Sequence, residues 1–397
     1  MSFYTEPAFF VILAVACIPA IVLGLLEKPL KHYGLVASVV FLALLFGRDL
    51  EGLAAFGVFL VIALATTFFT LRCFQREDKH AVGKYRVALA LMLVPIVCAK
   101  VSAVFDANLL GFIGISYLTF KAVQVLIEIR DGLIKELGFF DYLYFLVFFT
   151  PFTSGPIARS RDFVAQANAK MTRAEYCDLL SAGLLKFLLG AVYSFLLAGF
   201  FQWAMWFAPS AIGSATAGAA VGAELAEAFL YGMYLFFDFA GYSLMAIGAG
   251  CVFGIRLPDN FNMPFLATTI QDFWDRWHIS LSHWLRDYVF MRVSRVFLKK
   301  KVFKSRVTTA CIGFMCNMTL MGFWHGITPD YIIYGIYHGV LLSLCEIYTR
   351  NSKFYKAHKK SKALKVFMWA ITMIAVFFGF SLFSGQVSSV LLGVIGG

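Results

Sequence analysis

The chain has 397 residues, of which 60% are hydrophobic and 14% charged, with a mean hydropathy of +0.78. A soluble domain carries roughly 25% charged side chains, so this composition cannot coat a water-exposed globule; it excludes an ordinary cytosolic enzyme, a disordered chain and a secreted disulfide scaffold. The formal charge of +11 sits in short basic runs between apolar segments, the pattern that orients helices across a bilayer, and no motif for a nucleic-acid partner accompanies it.

A bilayer core takes about 20 apolar residues per helix. In chain order, spans are expected at 7–26, 33–47, 53–71, 86–105, 109–129, 177–207, 224–252, 307–326, 331–349 and 364–384, which makes an all-α polytopic membrane protein. The first segment lacks a basic leader and a small-residue cleavage site, so it reads as a span and not as a removed signal peptide. Segment 140–157 is also apolar, but it ends in Thr150-Pro151-Phe152-Thr153-Ser154-Gly155-Pro156. Prolines and glycine break the helical ladder there, so the segment either spans or re-enters against protein. The basic loops at 72–86, 299–306 and 350–365 are expected at the cytoplasmic face, which puts the N-terminus outside. The eight cysteines are scattered without a C-x-x-C pair, so they read as small buried hydrophobes and support neither a metal site nor a disulfide framework.

Two stretches do not read as passive anchors. The first, 271–288, mixes charges with Trp274, Trp277, Trp284, His278 and His283 in a helical pattern. Read as one helix, it pairs Asp272 with Arg276, Asp275 with His278 and His283 with Asp287, and it stacks Trp274 above His278. An interfacial helix explains the same residues without any chemistry. The second stretch is Gly322-Phe323-Trp324-His325-Gly326, a histidine at the end of an apolar helix. An ionisable group at membrane depth costs about 2.5–3.5 kcal/mol on insertion scales and tends to serve a site. Its bland counterpart is a neutral imidazole bonded to a neighbouring carbonyl. The bare face of Gly322 and Gly326 admits either a helix or a substrate.

His338 reads as a packing or hydrogen-bonding residue, while His32, His80 and His358 sit in basic loops and read as solvated. Lys121, Gln124 and Glu128 recur on one helical face, where Lys121 can pair across a turn; the stripe is either buried against other helices or lines a tunnel. Asp238, isolated among aromatics, reads as a cap or hydrogen-bond hub. There is no phosphate loop, dinucleotide fingerprint, nucleophile elbow or zinc-protease motif, and Ser280 and Ser282 beside His283 lie on a helical pattern without an elbow.

The pair RWHISLSHWLRDYVF (276–290) and GFWHG (322–326), separated by a basic loop, resembles the membrane-bound O-acyltransferase family. Gly114-Ile115-Ser116-Tyr117-Leu118-Thr119-Phe120, then Ser154-Gly155-Pro156-Ile157 with Arg159, and Asp259-Asn260-Phe261 with Asn262 and Pro264, match in the same order. Together they cover 110–165 and 255–340, within what reads as a single membrane-embedded domain. The resemblance implies a ring of about eleven helices, spanning and re-entrant, around a thin centre crossed by a tunnel. It places the two hallmark histidines on His278 and His325, with His325 at the catalytic position. Trp274, Asp275, Trp277, Ser280, Trp324 and Asn260 fall where tunnel-lining and orienting residues are expected.

The wording IEIRDG (127–132), DFWDRWHISLSHWLRDYVFMR and MGFWHGIT is most similar to the branch that D-alanylates teichoic acids; the alginate O-acetyltransferase branch differs after WHG, where Ile327 stands here. That branch implies a D-alanyl thioester on the phosphopantetheine of a small acidic carrier protein, and lipoteichoic acid or an intermediate membrane acceptor on the outer side of a bacterial plasma membrane. It implies no bound cofactor and no metal. Lys299, Lys300 and Lys301 are expected to steer the carrier, although topology alone also explains them. A rival of another class is a transporter or flippase for a lipid-linked polymer.

Overall fold

The computed structural model describes residues 3–207 and 217–388. Among these residues, eight helices are long and apolar enough to cross a membrane. They coincide with eight of the ten expected spans, because a run of about 20 apolar residues is satisfied in lipid only as a helix that bonds its own backbone. The chain divides into two compact units, Met1–Ala191 with Tyr242–Asp259, and Val192–Gly241 with Asn260–Gly397.

In the first unit the helices are α1 (Pro7–Leu25), α2 (Lys31–Phe46), α3 (Leu50–Gln75), α4 (Ala81–Ala103), α5 (Ile115–Arg130), α6 (Phe139–Val147), α7 (Ser160–Asn168) and α8 (Arg173–Ala191). Asp49 starts α3 by accepting a hydrogen bond from the Gly52 amide at 2.8 Å. Two expected spans differ from the others. At sixteen residues, α2 is about 24 Å long, short of the bilayer core. The stretch 109–129 yields only α5, which is buried on nearly every side and so faces protein instead of lipid.

The polar residues of α5 explain that burial. Lys121 donates to the Leu146 carbonyl at 3.2 Å and lies over the Phe145 ring. The Gln124 amide donates to the Ala158 carbonyl at 2.9 Å, and Glu128 accepts from the Ser160 hydroxyl at 3.1 Å. The expected pairing of Lys121 across its own helix turn gives way to bonds with 146–160. Helix α6, nine residues long, covers about 14 Å and stops well short of a crossing. Phe148, Phe149, Thr150 and Phe152 after it are fully buried. The segment is therefore too short to span as a helix and packs against protein, where α5 bonds the Leu146 and Ala158 carbonyls that lipid could not. Gly155, at φ +84°, lies where a Cβ would strike the Tyr117 ring at 2.8 Å, so the two upstream motif stretches pack on each other.

The second unit begins with a π-helical stretch, Val192–Ala198, and α9 (Gly199–Met205); α10 (Ala217–Val252) ends in the first unit. Then follow α11 (Ile270–Trp274), α12 (Ile279–Leu285), a π-helical turn at Arg286–Phe290, α13 (Met291–Lys299), α14 (Arg306–His325), α15 (Pro329–Asn351), α16 (Lys353–His358) and α17 (Lys362–Phe383). Helices α14 and α15 touch backbone to backbone: a Cβ on Gly322 would meet the Tyr331 carbonyl at 2.4 Å, and one on Gly335 the Met318 carbonyl at 2.5 Å. The bare face at Gly322 is thus occupied by a helix and not by a substrate, and the Tyr331 ring covers Gly326 in the same way.

Other expectations are revised by the same geometry. Of the cysteines, Cys73 and Cys251 are buried, whereas Cys177 and Cys316 lie on outward faces of α8 and α14; all eight are free thiols. Asp238 is exposed on α10 instead of forming a buried hub, while His32, His80 and His358 are exposed as expected.

Candidate active site

The segment 271–288 is broken where the sequence suggests one helix. Thr269 caps α11 by accepting from the Asp272 amide at 3.1 Å, and Asp272 pairs with Arg276 at 2.6 Å as expected. The helix then stops. Residues 260–262 run antiparallel to 276–279: the Asn262 amide donates to the Arg276 carbonyl at 3.0 Å, Phe261 bridges to Trp277, and the Ile279 amide donates to the Asn260 carbonyl at 2.9 Å. This pairing turns His278 into the left-handed region, at φ 45° and ψ 50°. A left-handed non-glycine residue costs about 1–2 kcal/mol, offset here by the bonds on either side.

Helix α12 starts at Ile279 with no cap from the His278 side chain. Asn260, 1% exposed, supplies one from a distant part of the chain: its Oδ1 accepts from the Ser280 amide at 3.2 Å while its carbonyl takes the Ile279 amide. Asn260 and Ser280 thereby act on the backbone that aims His278. Trp277 adds an apolar wedge between Phe261 (5.1 Å), Phe273 (5.5 Å) and Phe380 (5.0 Å), measured between ring centroids.

His278 is 4% exposed. The Phe239 ring packs edge-on to it at 4.7 Å, and Trp324 lies 6.2 Å away. Burial, and after it the nearby His325, hold the His278 imidazole well below its ordinary pKa. Trp274 does not stack on His278 as the one-helix reading suggests. Its indole N–H donates instead to Nδ1 of the buried His338 at 3.3 Å, which gives His338 the hydrogen-bonding role expected of it.

His325 is the last residue of α14 and is half-buried. Its ring lies 4.6 Å from Trp324, 4.9 Å from Phe383, 5.9 Å from Tyr331 and 6.3 Å from Tyr334. Trp324 is therefore a ring neighbour of both histidines. The tyrosines escaped the sequence reading, although Tyr331 and Tyr334 follow the glycine-rich turn at helical spacing on α15. Carbonyl ends at a helix C-terminus favour a positive charge nearby by about 0.3–1 kcal/mol, which suits a group that takes up a proton at this position.

A cavity of about 310 Å³ lies beside this cluster, with walls that include Trp274, Asp275, His283, Arg286, Asn317 and Met321. Asp275 is exposed, and Met321 is one turn before His325 on α14. Lys299, Lys300 and Lys301 are exposed at the end of α13, apart from the ring cluster.

Residues 54–388 match the membrane-bound O-acyltransferase family. The chain is 38% identical to a teichoic acid D-alanyltransferase of Bacillus subtilis (strain 168), over 97% of this chain and 98% of that one. It is 35% identical to a teichoic acid D-alanyltransferase of Streptococcus thermophilus, over 96% and 94%. A probable alginate O-acetylase of Pseudomonas syringae pv. tomato is 31% identical over 69% of this chain and 49% of its own length. With its many apolar helices and its two histidines gathered around Trp324, the chain belongs to the membrane-bound O-acyltransferase family, a multi-pass membrane enzyme of acyl transfer.

Proposed function

We propose that this enzyme moves a D-alanyl group from a carrier-protein thioester to a hydroxyl outside a bacterial plasma membrane, on lipoteichoic acid or on an intermediate membrane acceptor. The observation that carries the reading is the ring cluster, His325 at the open end of α14 with the neutral, buried His278 behind Trp324. Near-full-length likeness to teichoic acid D-alanyltransferases supports this acyl group over acetyl.

A thioester is already activated, so the protein has to place a hydroxyl at its carbonyl and take the hydroxyl proton. His325 is the general base. A ring nitrogen accepts the proton as the oxygen attacks; the C–O bond forms, the C–S bond breaks, and the imidazolium returns the proton to the departing thiolate. Such a base contributes about 10²–10⁴ in rate. His278, which stays neutral, and the tryptophans Trp274, Trp277 and Trp324 orient the donor and His325, and proximity supplies much of the remainder. The aromatic walls keep out water, which competes for the same thioester. The phosphopantetheine arrives on the acidic carrier, steered by Lys299, Lys300 and Lys301. The enzyme itself needs neither a bound cofactor nor a metal for these steps.

The test supplies carrier loaded with labelled D-alanine to purified protein. Wild type discharges the label; His325→Ala, still monodisperse in detergent, loses at least 10²-fold. Undiminished discharge by His325→Ala refutes the assignment and favours a pathway for a lipid-linked polymer. Acetyl-loaded carrier alongside separates the alginate-type chemistry.

A further inference from the structure

Among the polar residues that line the cavity beside α11, α12 and α14, Asn317 is one that the mechanism above does not use. Asn317 is 8% exposed and lines the cavity, and its Oδ1 has no hydrogen-bond partner. Its amide nitrogen has only the Met318 thioether, at 3.9 Å. Its carboxamide oxygen is thus buried at the cavity wall without a protein partner. Buried polar atoms in native proteins are nearly always satisfied, and one left open in a cavity wall is a place for a ligand atom.

The helix register says which ligand atom. Asn317, Met321 and His325 recur at every fourth residue of α14, so they run along one side of it. From Asn317 to His325 the helix rises about 12 Å. An extended chain advances roughly 1.2 Å per bond, so that interval is spanned by about ten bonds. In a pantetheine thioester the nearer amide lies about four to five bonds from the acyl carbonyl carbon and the farther amide about eight to nine, so the farther one comes closer to that interval. We propose that Asn317 hydrogen-bonds this distal amide, and so fixes how far the arm must enter for its thioester to reach His325. The inference rests on the carrier-thioester reading and adds to it a residue that selects for arm length. A carboxamide matches an amide on both sides, as donor and as acceptor.

The experiment compares two soluble donors, D-alanyl pantetheine thioester and D-alanyl N-acetylcysteamine thioester, which ends after the proximal amide. Wild type is expected to favour the longer donor in kcat/KM, and Asn317→Leu to lower that preference about tenfold. Thermal unfolding is the second readout. Leucine keeps the branched outline, has the adjoining cavity for its larger volume and removes an unsatisfied buried group, so the variant is expected to melt no lower than wild type. A preference unchanged in Asn317→Leu overturns the proposal, and so does a drop in melting temperature with equal loss on both donors, which marks a structural residue. If wild type uses neither soluble thioester and does not discharge the loaded carrier, the donor reading itself falls, and this proposal with it. Discharge of the carrier without any preference between the two thioesters sinks the Asn317 assignment alone.

Discussion

The remote cap on α12 gives the sharpest test of how His278 is held. Asn260→Leu keeps the branched outline but strips the Oδ1 that accepts from the Ser280 amide at 3.2 Å. Loss of an N-cap costs about 1 kcal/mol, and a buried amide left without an acceptor costs about 1–3 kcal/mol; these overlap, for a total near 2 kcal/mol. With an unfolding entropy of about 2.1 cal/mol/K per residue over 397 residues, that lowers the melting temperature by about 2 to 3 °C. The effect on rate should be larger, because a misplacement of about 1 Å at a reacting group costs on the order of 10²-fold. A double-mutant cycle decides whether the loss runs through His278. His278→Asn is the partner of choice, since asparagine tolerates the left-handed backbone at that position. Discharge of labelled carrier is measured for wild type, both single variants and the double variant. The double variant should lose little more than His278→Asn alone. Losses that multiply would refute the view that Asn260 works by aiming His278.

Three further outcomes follow from the same geometry. Trp274→Phe removes the indole N–H from His338 Nδ1 between two buried rings, which should cost about 1–3 kcal/mol in detergent unfolding; a change below about 0.3 kcal/mol denies the bond any weight. The native His278 resists protonation while the unfolded chain takes a proton near pH 6.5, so its contribution to stability is complete above that pH and is lost as pH falls through the window below it. The slope is at most about 1.4 kcal/mol per pH unit, and His278→Asn should flatten melting temperature against pH between 5 and 6.5; an unchanged slope rules this out. Replacing Lys299, Lys300 and Lys301 by glutamine should weaken carrier binding at low salt and reduce its salt dependence, whereas equal affinity in wild type and variant at every salt concentration removes the docking role.

The long spans are legible because their cause is local. Pro7–Leu25 or Lys362–Phe383 needs only its own apolar run to become a helix in lipid. What escaped the sequence reading is set by partners far away in the chain. Nothing in 271–288 resembles a helix breaker, since it holds neither glycine nor proline, yet the helix ends because 260–262 pairs with 276–279. Helical spacing therefore carried Trp274 to His278, while in the folded chain it reaches His338. The pair Asp272–Arg276 survived because it lies within one helical turn. The polar residues Lys121, Gln124 and Glu128 of α5 and the broken segment around Pro151 and Pro156 are each visible in the sequence, but not that the first satisfy the neighbours of the second. His278 and His325 stood out as costly residues near apolar surroundings, whereas Asn317 did not, because an asparagine inside an apolar helix gains meaning only once a cavity is seen beside it.

The two histidines stand in different physical environments, and that difference supports the roles proposed for them. His278 is fixed through its backbone, in a left-handed turn anchored on both sides by amide bonds and enclosed by Phe239 and Trp277's neighbours. A ring so placed has little room to move and, being desolvated, resists charge; it serves as a fixed reference. His325 sits at the last residue of a helix, with ring contacts from Trp324, Phe383 and two tyrosines. It is reached by solvent, and the carbonyl end of α14 favours a transient positive charge. A base has to gain and lose a proton in each cycle, and the half-buried position suits the role proposed for His325. Trp324 neighbours both rings, 4.6 Å from His325 and 6.2 Å from His278, so a bulkier or smaller residue there should change the discharge of labelled carrier while both histidines stay in place.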